Sequence, residues 1–365
     1  MKVLHLITRM NTGGPAVFLD HLTHAIHPSC ESFIGYGHCE SNETDYTEDH
    51  ELSATLIKVE HLHRSLNPLD DIRAFFEIRK IIKTEKPKVV NTHTSKAGVL
   101  GRVAAKSVNR KIKVVHTFHG HLIYGYFARY KSLVFTIIER FLTIFTDAAV
   151  AVTTETKNSL QKLGIGRKLK WKVIHIGVPE SDTDPAVFTK KQNLKLLWVG
   201  RFTGIKDPNY AIEVMLKLKG KNVELTMVGG GELFEEAKRK SEGLPISFTG
   251  WMKDPFTKIK DFDLLLITSK NEGLPLVMLE AANHHRPTIA RNVGGLSEFI
   301  EENKTGFLIN GGPDEMAKII EGLVQDRSKL ESFGNNANEV LHDEYSLKKM
   351  AGEYLDFYKG LTVRN

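Results

Sequence analysis

Asp263-Leu-Leu-Leu-Ile267-Thr-Ser269-Lys-Asn-Glu272-Gly273-Leu274-Pro275-Leu276-Val277-Met-Leu-Glu280 reads as a strand, a turn and the start of a helix. The Leu-Leu-Leu-Ile run shows no alternation, as expected of a strand covered on both faces of a parallel sheet. Pro275 suits the first helical turn, where a missing N–H costs nothing. The N–H groups of Leu276 and Val277 lack acceptors within the helix, so this end attracts an anion. Glu272 then stands closer to an anion than stability recommends. Glu280, one to two turns on, can accept hydrogen bonds from paired hydroxyls. The plainer reading makes both glutamates ordinary carboxylates near a helix N-terminus, mildly stabilising there.

The same strand–turn–helix unit recurs in both directions. Strands are expected at 194–199, 223–228, 246–248 and 287–290, and earlier at 2–7, 88–92, 112–117 and 148–152. Amphipathic stretches at 16–27, 70–83, 130–145, 209–219, 231–241, 275–285 and 314–325 fall between or after them. This alternation predicts an α/β protein with parallel sheets. At 365 residues and 41% hydrophobic, the chain suits two such domains. The junction is expected within 177–193, where Gly177-Val-Pro-Glu-Ser-Asp-Thr-Asp-Pro185 mixes turn formers and lacks either period. The domains are then 1–178, rejoined by a C-terminal helix at about 345–365, and 179–344. The acidic stretch 40–51 reads as a surface loop.

Three more segments carry chemistry. Thr8-Arg-Met-Asn-Thr-Gly13-Gly14 lies between a strand and a helix, where paired glycines let backbone N–H groups approach an anion. It lacks the Gly-x-Gly-x-x-Gly spacing, which disfavours a nicotinamide enzyme. Val199-Gly-Arg201-Phe-Thr-Gly-Ile-Lys206 also follows a strand. Its Arg201 fork and Lys206 point charge can together neutralise a departing diphosphate. In Val114-Val-His116-Thr-Phe-His119-Gly-His121, period two places Thr117 and His119 on one face and His116 on the other. Two Asp-x-Asp strings, Asp182-Thr-Asp184 and Asp261-Phe-Asp263, sit where carboxylates do not converge, so both read as structural and no metal is expected.

Composition narrows the partners. Cys30 and Cys39 are too few for a disulfide framework or a four-cysteine metal site. No run reaches the roughly 18 apolar residues of a membrane span, and the opening Lys2-Val-Leu-His-Leu-Ile7 is too short for a signal peptide. A cytoplasmic protein is expected, with any membrane contact peripheral. Residues 1–178 hold 25 Lys/Arg against 16 Asp/Glu, a balance of +9, which leaves −3 for the remainder of a chain at +6. Within 86–138 ten basic residues meet no acidic one, interleaved near the end with Leu122-Ile-Tyr-Gly-Tyr-Phe-Ala-Arg129-Tyr-Lys131. That mixture suits phosphates on an acceptor or an anionic membrane. No helix-turn-helix, zinc or aromatic RNA signature is present, so no nucleic-acid partner is expected.

Glu272-x7-Glu280, Gly-Arg201 through Lys206 about seventy residues earlier, and Gly13-Gly14 near the start together resemble the family 4 glycosyltransferases. These are retaining enzymes of the GT-B fold, with two facing Rossmann-like domains and the donor in the cleft. The resemblance spans nearly the whole chain. Met227-Val-Gly229-Gly-Gly231 stands where the family has strand-end glycines, and Phe248-Thr-Gly250-Trp251-Met252 resembles the loop that cradles the base. Residues 345–359 resemble the helix that returns to the first domain. The family often has Phe where this chain has Gly273, and Asp where it has Gly230.

The resemblance implies transfer of a hexose or N-acetylhexosamine from a nucleotide-diphosphate sugar, with UDP expected, to a glycan or lipid-linked acceptor, without cofactor or metal. His119, Arg201, Lys206 and Glu272 would be catalytic. Gly13, Gly14, Gly229, Gly250, Trp251, Met252, the Gly273–Val277 run and Glu280 would bind substrate. Within it, His119 reaches the transferred sugar, with His121 the weaker substitute. A sugar-nucleotide epimerase and a non-catalytic nucleotide-sugar-binding subunit remain as alternatives, separable by acceptor-dependent release of UDP.

Overall fold

A computed structural model describes residues 1–41, 43–120, 129–181, 188, 193–253, 255–258 and 261–363, excepting the side chains of 129–131, 257 and 258. His121, the aromatic run 122–128, Asp182-Thr-Asp184 and most of the expected junction lie outside these residues. The chain divides into two units, Met1–Pro179 with Tyr345–Asn365, and Glu180–Glu344.

Unit one is built on β1 (Lys2–Arg9), β2 (Glu31–Gly37), β3 (Thr55–Lys58), β4 (Val89–His93), β5 (Lys113–Phe118), β6 (Ala148–Ala151) and β7 (Lys170–Val173). They form one sheet in the order β3-β2-β1-β4-β5-β6-β7, each neighbouring pair parallel. The helices are α1 (Gly14–Ile26), α2 (Tyr46–Asp49), α3 (Pro68–Glu85), α4 (Ser95–Val108), α5 (Arg129–Leu142) and α6 (Thr154–Lys162). Leu4, Leu6, Val90 and Val114 of the strands pack with Ala74, Ile78, Ala97 and Ala104 of α3 and α4.

Unit two repeats the plan with β8 (Leu194–Val199), α7 (Pro208–Lys217), β9 (Val223–Val228), α8 (Phe234–Lys240), β10 (Ile246–Gly250), α9 (Pro255–Lys258), β11 (Leu264–Ile267), α10 (Leu276–Asn283), β12 (Thr288–Arg291), β13 (Gly306–Ile309), α11 (Pro313–Gln325) and α12 (Ser328–Glu344). Its parallel sheet runs β10-β9-β8-β11-β12-β13, the doubly wound Rossmann order. α13 (Leu347–Thr362) belongs to unit one, where Tyr358 accepts a hydrogen bond on its hydroxyl from Asn91 Nδ2 at 2.7 Å.

The acidic stretch 40–51 departs from a plain surface loop. Asp45 accepts from Thr47 N–H at 3.0 Å and starts α2, while buried Tyr46 donates its hydroxyl to Asp20 Oδ2 at 2.7 Å. Glu43 pairs with Arg9. These contacts tie the segment to β1 and α1, which the local polarity could not reveal.

Candidate active site

In unit two β8 lies between β9 and β11, so the loops leaving β8 and β9 turn away from those leaving β11 and β12. A crevice opens at the carboxyl ends of the strands at such a reversal. The loop after β8 carries Arg201 and Lys206, and the loop after β11 carries Ser269 to Pro275. They meet through charge. Lys206 Nζ donates to Glu272 Oε1 at 2.5 Å, and Ser269 Oγ donates to the same oxygen at 2.5 Å. The Glu272 side chain is 10% exposed and that of Lys206 28%, so water screens this pair less than a surface one.

The loops are braced from beneath by residues that carried no motif. Trp198 Nε1 donates to Thr268 Oγ1 at 2.9 Å, and the Thr268 hydroxyl donates to the carbonyls of Lys206 and Asp207 at 2.9 and 3.0 Å. Asp207, in the left-handed region at φ 51°, accepts from Arg291 Nη1 at 3.2 Å. Thr268 immediately follows β11, and that position alone could have singled it out. Gly294 braces Glu272 itself. At φ 57° its Cβ would lie 1.8 Å from the Glu272 carbonyl oxygen, so no larger residue fits.

Gly229 performs the same task for the other loops. At φ 128° its Cβ would meet the Gly200 carbonyl oxygen at 1.9 Å, and its N–H donates to the Gly250 carbonyl at 2.8 Å. It draws together the loops after β8, β9 and β10. Trp251, 54% exposed, sets its indole over Gly230, where a Cβ would stand 2.6 Å from Nε1. A side chain at 230 would therefore have to displace this exposed ring, whereas no backbone atom stands in its way. Gly250 adopts φ 72°, and Met252 is half-buried.

One expectation is corrected at α10. Pro275 is the N-cap at φ −73°, ψ 125°, and the helix begins with Leu276. No side chain caps this end, so its first N–H groups have no intrahelical or cap acceptor. The side chains of Leu274, Pro275 and Leu276 are buried and anchor the helix start, while Gly273, Val277 and Glu280 are half-buried.

In unit one Gly13 is the N-cap of α1, again without a side-chain cap, and its carbonyl accepts from Ala16 N–H at 3.1 Å. Gly14 is exposed at the first turn. His119 follows β5 directly. Its ring lies edge-on to Phe18 of α1 at 4.7 Å between centroids, and its Nε2 is 2.9 Å from Nδ1 of His93. His93 Nε2 is in turn 3.2 Å from Nδ1 of His5. Burial lowers His5 to about 3 and His119 to about 4, and holds His93 well below its ordinary value, so all three rings are neutral at pH 7. His116 faces the other side of the sheet, its Nδ1 2.7 Å from Thr92 Oγ1. Arg201, Lys206, Glu272 and Glu280 thus belong to unit two, and Gly13, Gly14 and His119 to unit one.

Two families match this chain. Residues 13–182 match Glycosyltransferase Family 4 and residues 180–340 match Glycosyl transferases group 1. The UDP-Gal:alpha-D-GlcNAc-diphosphoundecaprenol alpha-1,3-galactosyltransferase of Escherichia coli is 27% identical over 341 residues, 88% of this chain and 87% of that one. Anabaena Alr3699/HepE in complex with UDP and glucose superposes with a TM-score of 0.79 at 18% identity, over 99% of this chain and 100% of that one. Sucrose-phosphate synthase (tll1590) from Thermosynechococcus elongatus gives 0.85 at 16%, over 99% of each. The chain is a family 4 glycosyltransferase of the GT-B fold.

In unit two of the glycosyltransferase, Asp261 and Asp263 both engage Lys195. Asp263 is buried, accepts from Lys195 N–H at 2.9 Å and faces Arg327 Nη1 at 3.6 Å, while Asp261 pairs with the Lys195 ammonium. Among the described residues no group of three or more His, Cys, Asp or Glu is placed to hold a metal ion. No described helix is long and apolar enough to cross a membrane. Cys30 and Cys39 are both unpaired.

Proposed function

We propose that this glycosyltransferase moves a hexose or N-acetylhexosamine from a UDP-sugar to a lipid-linked or other glycan acceptor, with retention of configuration and without a metal ion. The Lys206–Glu272 pair at the strand-order reversal carries the reading, with Arg201 on the same loop and the uncapped start of α10 following Glu272. Glu272 orients the Lys206 ammonium toward the position of a diphosphate. As the bond from sugar C1 to the diphosphate oxygen breaks, Arg201, Lys206 and the α10 N–H groups take up the growing negative charge. The acceptor hydroxyl bonds to C1 on the same face and its proton passes to the departing phosphate oxygen, giving the glycoside and UDP. Gly250–Met252 hold the base, Glu280 the ribose hydroxyls, and His119 donates to the transferred sugar. Gly13 and Gly14, at the start of α1, let backbone N–H groups come close to substrate.

The donor and acceptor follow the printed name of the Escherichia coli relative, and UDP is bound in the Anabaena structure. Protection against thermal unfolding across a panel of nucleotide sugars tests the donor, because a specific ligand raises stability by mass action. A UDP-sugar is expected to protect most. Equal indifference to every nucleotide sugar would remove the donor site. With two cations and the uncapped start of α10 available at the diphosphate, saturating EDTA is expected to leave turnover unchanged. Loss of turnover restored by Mn²⁺ or Mg²⁺ would assign the charge stabilisation to a metal.

A lipid-linked acceptor requires peripheral contact with a membrane, which on this reading is the cytoplasmic leaflet. α5 suits that contact. Leu133, Val134, Ile137, Ile138 and Phe141 are 40–61% exposed along it, and Ile144 beyond its end is 72% exposed. The stretch 86–138 holds ten basic residues and no acid in sequence, although Lys96, Arg102 and Lys106 pair with Asp71, Glu139 and Asp147. An exposed apolar helical face on a domain of net positive charge suits a headgroup layer. Salt-sensitive co-sedimentation with phosphatidylglycerol vesicles is expected, weakened by Ile137→Glu with Phe141→Glu. Wild-type protein that ignores such vesicles at low salt, or that dimerises through α5 instead, would overturn this contact.

A further inference from the structure

His5, His93 and His119 stand on three adjacent strands, β1, β4 and β5 or its immediate end, on the sheet face shared with Thr117 and Asn91. Their rings form a chain of two hydrogen bonds, His5 Nδ1 to His93 Nε2 and His93 Nδ1 to His119 Nε2. Phe18 of α1 and Tyr358 of α13 pack on the rings and close this face.

A neutral imidazole has one N–H and one lone pair. Three neutral rings joined by two bonds use two of their three N–H groups. The third must fall at an end of the chain, on His5 Nε2 or on His119 Nδ1. Both atoms are buried without a partner among the described residues. The two ends differ in surroundings. His5 is wholly inside the protein, at 0% exposure, beside the edge of Tyr358. An N–H orphaned there is the rarer and costlier state, whereas a bare lone pair is tolerated. His119 Nδ1 is covered too, but its residue is half-buried just past the carboxyl end of β5, where substrates bind in sheets of this kind and a substrate oxygen can satisfy an N–H. The N–H groups therefore point from His5 through His93 to His119.

We propose that His5 and His93 are positioning residues that fix His119 in the tautomer with its proton on Nδ1, making it a neutral hydrogen-bond donor to an oxygen of the transferred sugar. The last clause rests on the role of His119 proposed above; the fixing of the tautomer does not. His93 acts through both ring nitrogens, accepting on Nε2 and donating from Nδ1. A glutamine amide can reproduce that pair of roles, and leucine can reproduce neither.

The test is long-range proton–nitrogen correlation on the full chain labelled with ¹⁵N-histidine at pH 7, with His119 assigned by its loss in His119→Gln. His119 is expected to show a protonated Nδ1 and a bare Nε2, and to become a mixture of tautomers in His93→Leu. A protonated Nε2 on wild-type His119 overturns the proposal, whatever the variants do. In turnover, His93→Leu is expected to lower kcat roughly tenfold, the scale of one lost hydrogen bond, with the donor KM little changed. His93→Gln is expected to restore most of kcat. Equal losses in the two variants, or a loss in KM alone, would make His93 a packing residue and overturn its positioning role. If the tautomer is as expected but His119→Gln transfers sugar normally, the ladder stands and the proposed contact between His119 and the sugar fails.

Discussion

Lys206→Ala is expected to lower kcat by a factor on the order of 10² to 10³, or about 3 kcal/mol, the scale of a lost donor at a developing oxyanion. The effect is large because the ammonium is held in place before substrate arrives. Glu272 Oε1 fixes it at 2.5 Å, and the Thr268 hydroxyl holds the Lys206 carbonyl at 2.9 Å. Arg201→Ala is expected to act in the same direction from the same loop. Neither change removes an apolar core group, so thermal melting serves as the control for folding. Steady-state release of UDP measures the loss. Turnover within twofold of wild type for both variants would take the diphosphate away from this loop.

The second large effect is on stability. Arg102 and Glu139 are 2% and 1% exposed in their side chains, and Arg102 Nη2 donates to the two carboxylate oxygens at 2.8 and 2.9 Å. Arg102 Nε also donates to the Gly98 carbonyl at 2.8 Å. Arg102→Ala leaves a buried carboxylate without its partner, an expected cost of about 3–5 kcal/mol in unit one. Arg102→Met combined with Glu139→Leu removes both charges at similar volume and is expected to recover most of that loss. Denaturant unfolding followed through the unit-one transition measures both. A single-variant cost below about 1 kcal/mol would mean that water reaches Glu139. The pair also joins α4 to α5, so the single variant should weaken vesicle binding by loosening α5.

The two-sheet plan is legible because apolar strand runs and amphipathic helices are local patterns. What escaped the sequence depends on packing between distant segments. β2 carries Gly35 and Gly37, poor strand residues that pack against Leu6 and Leu62. α4 carries Gly98 and Gly101, poor helix formers that let it approach His116 and Leu6. In the candidate site, both charged loops are recognisable as strand ends, but the Lys206–Glu272 bond spans 66 residues and exists only because β8 and β11 are neighbours. The histidine chain follows the same logic. His5 and His93 are single residues in separate strands, joined to His119 by the order β1-β4-β5. Pro275 lies one residue earlier than expected because a cap cannot be told from a first turn by composition.

The most direct measurement of the central claim is product analysis with a UDP-hexose or UDP-N-acetylhexosamine and a lipid diphosphate acceptor presented in vesicles, with and without EDTA. UDP release is expected only when acceptor is present, unchanged by EDTA, with the new glycosidic bond keeping the anomeric configuration of the donor. Conversion of the UDP-sugar to its epimer without acceptor, an inverted bond, or no turnover of any UDP-sugar would contradict it.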